Sequence, residues 1–332
     1  MAAETKLNGR ERAADIAAVA ALLEIADRIG VLSVIDSGKP FRIDDLSKSG
    51  NVPADGAATF VKALNAASII QPSAEPDTFE AVADFPQLRY ESGYLSWALN
   101  ANRPFIENAA WFLSAPQEAR KVHQRDGRQV AVSSQWVGSK GFYPAALSSI
   151  LDIKPQHAVD LGAGTGRLLI EILLALPAST AVALDMDAPS CVEAGRAAER
   201  AGVADRLTVV ERPIQSLATD PSPLEDADVI HAGFVFHDMF PEEEHVADTV
   251  LRNCRAALNP NGIMAITDAV PYPEDERERR FGTLITYYHH QFMGRRLLTE
   301  DEWTDKLRGA GFRSVRSIVH QLAGARLFVA TK

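Results

Sequence analysis

The stretch "VDLGAGTGRLL" (159–169) constrains this chain more than any other. An apolar run, "HAVDLG", reads as a buried strand, and a periodic apolar pattern after Gly166 reads as a helix. Between them stand Gly162, Gly164 and Gly166. Glycine lets the backbone turn tightly and approach a ligand where a Cβ would collide. A dinucleotide fingerprint asks for the spacing G-x-G-x-x-G. Counted from Gly162, its third glycine would fall on Arg167, so the spacing here is G-x-G-x-G, with Asp160 ahead of it. The next strand, "TAVALD", ends in Asp185, 23 residues beyond Gly162. A carboxylate at that strand end can accept both ribose hydroxyls of an adenosine ligand. Strand, glycine loop, helix and acidic strand end together predict a nucleoside-cofactor site. The plainer alternative is a structural turn with a helix-capping aspartate.

The rest of the chain from residue 157 alternates in the same way. Strands are predicted at "HAVDLG", "TAVALD", "RLTVVE", "DVIHAG" and "GIMAITD", with helices at 166–176, 188–201 and 241–258. That pattern is α/β, a doubly wound, Rossmann-like parallel sheet. A further helix covers about 276–292. "TEDEWTDKLRGAGF" opens with a capping box, Thr299 and Glu302, and two strands near 313–320 and 325–331 finish the chain. Upstream, residues 13–30 are periodic, with Ile16, Val19, Leu22, Leu23, Ile25 and Ile29 on one broad face. Shorter helices and a hairpin at 69–82 come next, a winged-helix-like order. The expected domains are a mostly helical, winged-helix-like dimerisation domain at 1–100, a helical connector contributing to the pocket at 101–150, and a catalytic domain at 151–332. The aromatics from about 93 to 150, among them Trp97, Phe105, Trp111, Trp136 and Phe142, are expected to be mostly core.

Composition removes several classes of function. A net charge of -10 over 332 residues argues against nucleic acid as a partner. Cys191 and Cys254 form no disulfide framework, so a reducing cytoplasm is the expected compartment. Charges at Arg10, Glu11, Arg12 and Asp15 break up the first apolar stretch, so no signal peptide is expected. No apolar run reaches the roughly 20 residues of a membrane span.

"VDLGAGTG" with "ALDMD" resembles the class I S-adenosylmethionine-dependent methyltransferases. "FVFHDMFPEEEHVADTVLRNCRAALNPNGIMAITD" is similar to their histidine–aspartate segment, and "RRLLTEDEWTDKLRGAGF" to their C-terminal segment. The match is to the small-molecule O-methyltransferase-like group, which dimerises through its N-terminal domain. The resemblance implies that Asp160, Gly162, Gly164, Gly166, Asp185, Gly233 and Phe234 line the S-adenosylmethionine site. One departure concerns the adenine: the family's usual Gly-Asp after the third strand is Glu211 and Arg212 here.

The chain has eight histidines, and "TLITYYHHQFMG" sets His289 beside His290. Neighbouring helix residues point about 100° apart, so one of the two is expected to be functional and the other incidental. In the resembled group the histidine of the His-Asp segment is the general base, which is His237, followed by Asp238. Neutral imidazole near pH 7 suits that work. A subgroup, the α-keto acid C-methyltransferases, is similar in a further respect. There the base histidine and a second one on the helix over the pocket hold a metal ion, which a 2-oxo acid chelates. By that resemblance His237 and His289, 52 residues apart, are the metal ligands and His290 is incidental. Methylating carbon requires an enolate, and a Lewis acid on the ketone oxygen stabilises its charge. Imidazole suits several transition metals, with iron or zinc expected here.

Arg125 is expected to bind the substrate carboxylate and to act in catalysis with His237 and Asp238. Arg128, close by in sequence, is a second candidate for binding the substrate, and a surface ion pair is the competing reading for these arginines. Trp97 is a candidate for packing on the substrate side chain. His123, His157, His231, His245 and His320 read as structural. "FPEEEHV" reads as a helix start with Pro241 early, and "PEDERERR" as a solvated helix start. The leading expectation is a homodimeric C-methyltransferase for a 2-oxo acid in secondary metabolism, such as non-ribosomal peptide synthesis. Aryl, branched aliphatic and guanidino side chains stay open. The alternatives are a metal-independent O-methyltransferase with His237 as base, and a non-catalytic cofactor-binding regulator.

Overall fold

The computed structural model of the protein describes residues 9–332, with side chains from Arg12 onward. The chain divides into two compact units. One holds the residues up to Ala109 together with Lys121–Lys140, and the other holds Ala110–Arg120 with Gly141–Lys332.

The first unit is mostly helical. Helix Gly9–Arg28 is followed by Leu32–Ile35, Ile43–Gly50 and Ala54–Ala66, then by an antiparallel hairpin of β1 (Ile70–Pro72) and β2 (Phe79–Ala81). Its core gathers Leu23, Ile35, Leu46, Leu64, Ile70, Phe85 and Trp136. The first helix buries Ala20, Leu23 and Ala26, while Ile25 is 46% exposed. The broad periodic face includes Ile25, but this residue stands about 200° round the helix from Leu23 and so turns away from the core. Gly93, on helix Phe85–Leu95, packs against helix Gly127–Gly141 so closely that a Cβ would lie 2.8 Å from Val137 Cγ1.

The second unit is built on seven strands: β3 (His157–Leu161), β4 (Thr180–Asp185), β5 (Leu207–Glu211), β6 (Ala227–Gly233), β7 (Leu258–Ala269), β8 (Ser314–Val319) and β9 (Ala325–Thr331). The order is β5-β4-β3-β6-β7-β9-β8. β3 to β7 are parallel, and β9 runs antiparallel to both β7 and β8. Helices cover both faces, which is why β3, β4 and β6 read as continuous apolar runs. From β3 the chain moves outward to β4 and β5, then crosses back to β6 on the other side. The strand order reverses between β3 and β6, and their carboxyl ends open the crevice where ligands of such sheets bind.

Three local expectations need adjustment. Helix Glu244–Ala257 starts three residues after Pro241, because a turn, closed by Glu243 N on Met239 O at 2.8 Å, intervenes. Glu278, inside the charged "PEDERERR" run, is 5% exposed, not solvated. Its Oε2 lies 2.8 Å from Arg326 Nη1 on β9, a partner 48 residues away that no local pattern announces. The helix expected at 276–292 is α-helical over Glu276–Tyr287 and continues as a π turn, Tyr288–Met293. The capping box of helix Glu300–Gly309 forms as read, with Thr299 N donating to Glu302 Oε2 at 2.8 Å and Glu302 N to Thr299 Oγ1 at 3.2 Å. No helix among the described residues is long and apolar enough to cross a membrane.

Candidate active site

The glycine loop joins β3 to helix Arg167–Ala175 and has positive φ at all three glycines: 73° at Gly162, 54° at Gly164 and 72° at Gly166. Side chains rarely adopt this left-handed region. At Gly162 there is no room for one in any case, since a Cβ would stand 2.2 Å from Val235 Cγ1. At Gly164 a Cβ would meet nothing within 4 Å, so its backbone faces open space. Gly164 N–H donates to Asp185 Oδ2 at 2.8 Å and Asp187 N–H to Asp185 Oδ1 at 2.9 Å. The carboxylate at the end of β4 is thereby fixed beside the loop with lone pairs to spare. Phe234, just beyond β6, has a φ of 56°, and its N–H donates to Thr267 O at 2.8 Å. A non-glycine residue held in that region is the kind of strain that collects at functional sites. These features leave the loop fit to hold a nucleoside cofactor. Of the departing pair, Arg212 commits its side chain to Ser216 Oγ at 3.1 Å and Asp220 Oδ2 at 2.9 Å.

His237 and His289 come together. Their rings meet edge to face with centroids 4.8 Å apart and planes at 89°. His237 is 5% exposed and lies on the 3-10 turn Phe236–Met239, directly after β6. His289 is 4% exposed and lies on the π turn, whereas its neighbour His290 is exposed. Each ring commits its Nδ1 to a buried acceptor. His237 Nδ1 lies 2.6 Å from Asp268 Oδ1, and His289 Nδ1 lies 2.7 Å from Ile285 O. A carbonyl and an ionised carboxylate can only accept, so both Nδ1 atoms carry the proton in the neutral rings. Nε2 is then the lone-pair nitrogen of each. Asp268 is fully buried at the end of β7, and its Oδ1 also accepts Ala269 N–H at 2.8 Å. Asp238 Oδ1 stands 3.8 Å from His237 Nε2 and 3.7 Å from Arg295 Nε.

A second buried polar row lies on the sheet beneath the loop. Asp160 and His231 are register partners on β3 and β6, and His231 Nδ1 lies 2.7 Å from Asp160 Oδ1. His320 Nε2 lies 3.3 Å from Thr267 Oγ1. His231 Nε2 and His320 Nδ1 are both buried without a hydrogen-bond partner among the described residues. Burial pushes the His320 pKa down to about 4. Burial, with the Asp160 charge adding to it, pushes the Tyr143 phenol up to about 12.

Trp97, Arg125 and Arg128 belong to the first unit. There Trp97 O accepts from Asn102 Nδ2 at 2.7 Å, and Arg128 pairs with Asp27 at 2.7 Å. Sequence reasoning did not find the partners of four polar residues of the second unit: Asp268 on His237, His231 on Asp160, Arg120 on the Phe292 carbonyl and Arg295 beside Asp238. Asp268 did carry a signal, because "AITD" ends an apolar strand in a carboxylate as "VALD" does. The others carried none.

A family model described as "Methyltransferase domain" matches residues 159–264. Among relatives, the chain is 34% identical over 156 residues to aclacinomycin 10-hydroxylase RdmB of Streptomyces purpurascens, covering 47% of this chain and 39% of that protein. It is 28% identical over 199 residues to the 2-ketoarginine methyltransferase of Streptomyces arginensis, covering 58% and 56%. The chain thus spans about half the length of these relatives. Among solved structures, human N-acetylserotonin methyltransferase in complex with S-adenosylmethionine matches with a TM-score of 0.60 at 16% identity, over 99% of both chains, a likeness of fold. Residues 159–264 therefore carry a methyltransferase domain, in a chain whose fold is like that of the solved S-adenosylmethionine-dependent methyltransferase.

Proposed function

We propose that the chain methylates the carbon beside the ketone of a 2-oxo acid, with His237 and His289 holding a transition metal ion. The observation that carries this reading is the pair of facing imidazoles, each with Nδ1 committed to a buried acceptor. Metal-binding histidines almost always donate their other N–H in this way, which sets the tautomer and the ring orientation. This arrangement supports a two-histidine site; among the described residues no group of three or more His, Cys, Asp or Glu side chains gathers to hold an ion, so the remaining positions would fall to substrate and water. The named activity of the 2-ketoarginine methyltransferase relative supports the substrate class.

Bound S-adenosylmethionine supplies an electrophilic methyl group, and a bound metal ion supplies Lewis acidity at a ketone oxygen. The chain's own residues do the rest. Asp160, Gly162, Gly164, Gly166, Asp185, Gly233 and Phe234 line the cofactor crevice in this proposal. Asp268 and the Ile285 carbonyl hold the two rings in place. Asp238, 3.8 Å from His237 Nε2, is placed to take a proton or to orient a water. The first unit serves as the dimerisation module, a role supported by its exposed apolar residues Ile25, Leu99 and Ile106.

A second reading has its own support. A histidine braced by a buried aspartate at 2.6 Å is also the arrangement of a general base. Under that reading the chain is a metal-independent O-methyltransferase, and His237 takes the hydroxyl proton. Elemental analysis of wild type beside His289→Ala and His290→Ala separates the two. Near-stoichiometric metal that disappears with His289 and survives loss of His290 supports the 2-oxo acid reading. A wild type that holds no metal even after incubation with iron or zinc rejects it in favour of the general base.

A further inference from the structure

We propose that Arg120 is a positioning residue for His289: its guanidinium fastens the π turn that faces this histidine, and not His290, toward His237. The inference rests on the reading that His289 acts at the site. The helix Glu276–Tyr287 leaves α geometry where the two histidines begin, and it stays in the wider π turn until Gly294. Such turns are rare and concentrate at functional sites. Each extra residue accommodated in a turn rotates the residues beyond it by about 100° relative to an uninterrupted helix. The register of this turn therefore decides which of two adjacent histidines is buried.

The last carbonyls of a helix have no donors within it and need outside ones. Arg120 supplies them here. Its Nη2 lies 3.0 Å from Gln291 O and 3.4 Å from His290 O, and its Nε lies 3.1 Å from Phe292 O. The approach is close: a Cβ on Gly294, whose φ is 68°, would stand 2.8 Å from Arg120 Cζ. The same segment adds two anchors. Phe112 O accepts from Gln291 Nε2 at 2.9 Å, and the Phe112 ring meets Phe292 edge to face at 5.1 Å. The turn closes with Arg295 N–H on His289 O at 2.8 Å. A planar fork presents its donors to three carbonyls from fixed, separated positions, which the compact ammonium of a lysine does not reproduce.

The test uses the full chain, with Co²⁺ as the metal probe and ¹⁵N-histidine labelling to read the ring tautomers. Arg120→Ala is expected to weaken Co²⁺ binding by about 10- to 100-fold, the range for losing an outer support of a ligand. It is also expected to erase the Nδ1–H tautomer preference of His289, while S-adenosylmethionine affinity stays within about twofold. Added methylguanidinium restores part of both losses if the fork is what matters. Arg120→Lys, which keeps the stem and charge, repeats the test should the alanine variant unfold. Wild-type Co²⁺ affinity and an intact His289 tautomer in the variant would overturn the inference. If wild type binds no Co²⁺, the metal reading falls, and the tautomer alone then decides whether Arg120 sets the turn.

Discussion

Replacing Gly162 with alanine tests whether the glycine loop is shaped by backbone geometry and by one neighbour. Two penalties add at this position. A side chain at a φ of 73° costs about 1–2 kcal/mol. A Cβ placed 2.2 Å from Val235 Cγ1 overfills a packed contact, which typically costs about 1–3 kcal/mol. Gly162→Ala should therefore lose about 2–5 kcal/mol in urea unfolding followed by circular dichroism. Cofactor affinity should fall as well, because Gly162 N–H on Leu184 O at 2.8 Å fixes the start of the loop. The two penalties can be separated. Val235→Ala removes the colliding methyl, so the double variant should recover the packing part and retain the backbone part. The expected coupling is about 1–3 kcal/mol in favour of the double variant. Titration calorimetry with S-adenosylmethionine on the four proteins gives the matching cycle for binding. A coupling near zero across the cycle would refute the argument, because Val235 would then not be what forbids a side chain.

Other outcomes are expected from the two polar rows and the buried ion pair. Asp268→Asn keeps the shape but removes the charge that holds the His237 proton on Nδ1, and kcat should fall about 10- to 100-fold with cofactor affinity unchanged. Because burial depresses the His320 pKa to about 4, the unfolded chain binds the extra proton between about pH 6.5 and 4, and stability falls as pH is lowered through that window. The loss is about 3 kcal/mol, and urea midpoints across the window should flatten in His320→Gln. Glu278→Ala leaves Arg326, 9% exposed at its side chain, without its buried partner but still paired with Glu300 at 2.6 Å, and should cost up to about 3 kcal/mol by the same assay. Glu278→Leu with Arg326→Met should recover most of that loss, since it removes both charges.

How much of this was legible in the chain depends on how far apart the interacting residues are. The β3 loop, Asp185, the strand alternation and the capping box at Thr299 were readable because each is a local pattern that sets local backbone geometry. The pairing of His237 with His289 came from resemblance, since nothing in either segment names the other. That His289 is buried and His290 exposed depends on a π turn whose carbonyls bind Arg120, 170 residues from His290 in the chain. The burial of Glu278 needed Arg326 on a strand added 48 residues later. His231 and His320 read as structural, and the fold indeed buries them, but only the pairing of β3 with β6 sets His231 on Asp160. Periodicity and glycine spacing determined the sheet and its cofactor loop, because they act within a few residues of themselves. The partners of each imidazole were decided by strand order and helix register, because a hydrogen bond forms wherever the fold brings donor to acceptor, whatever their separation along the chain.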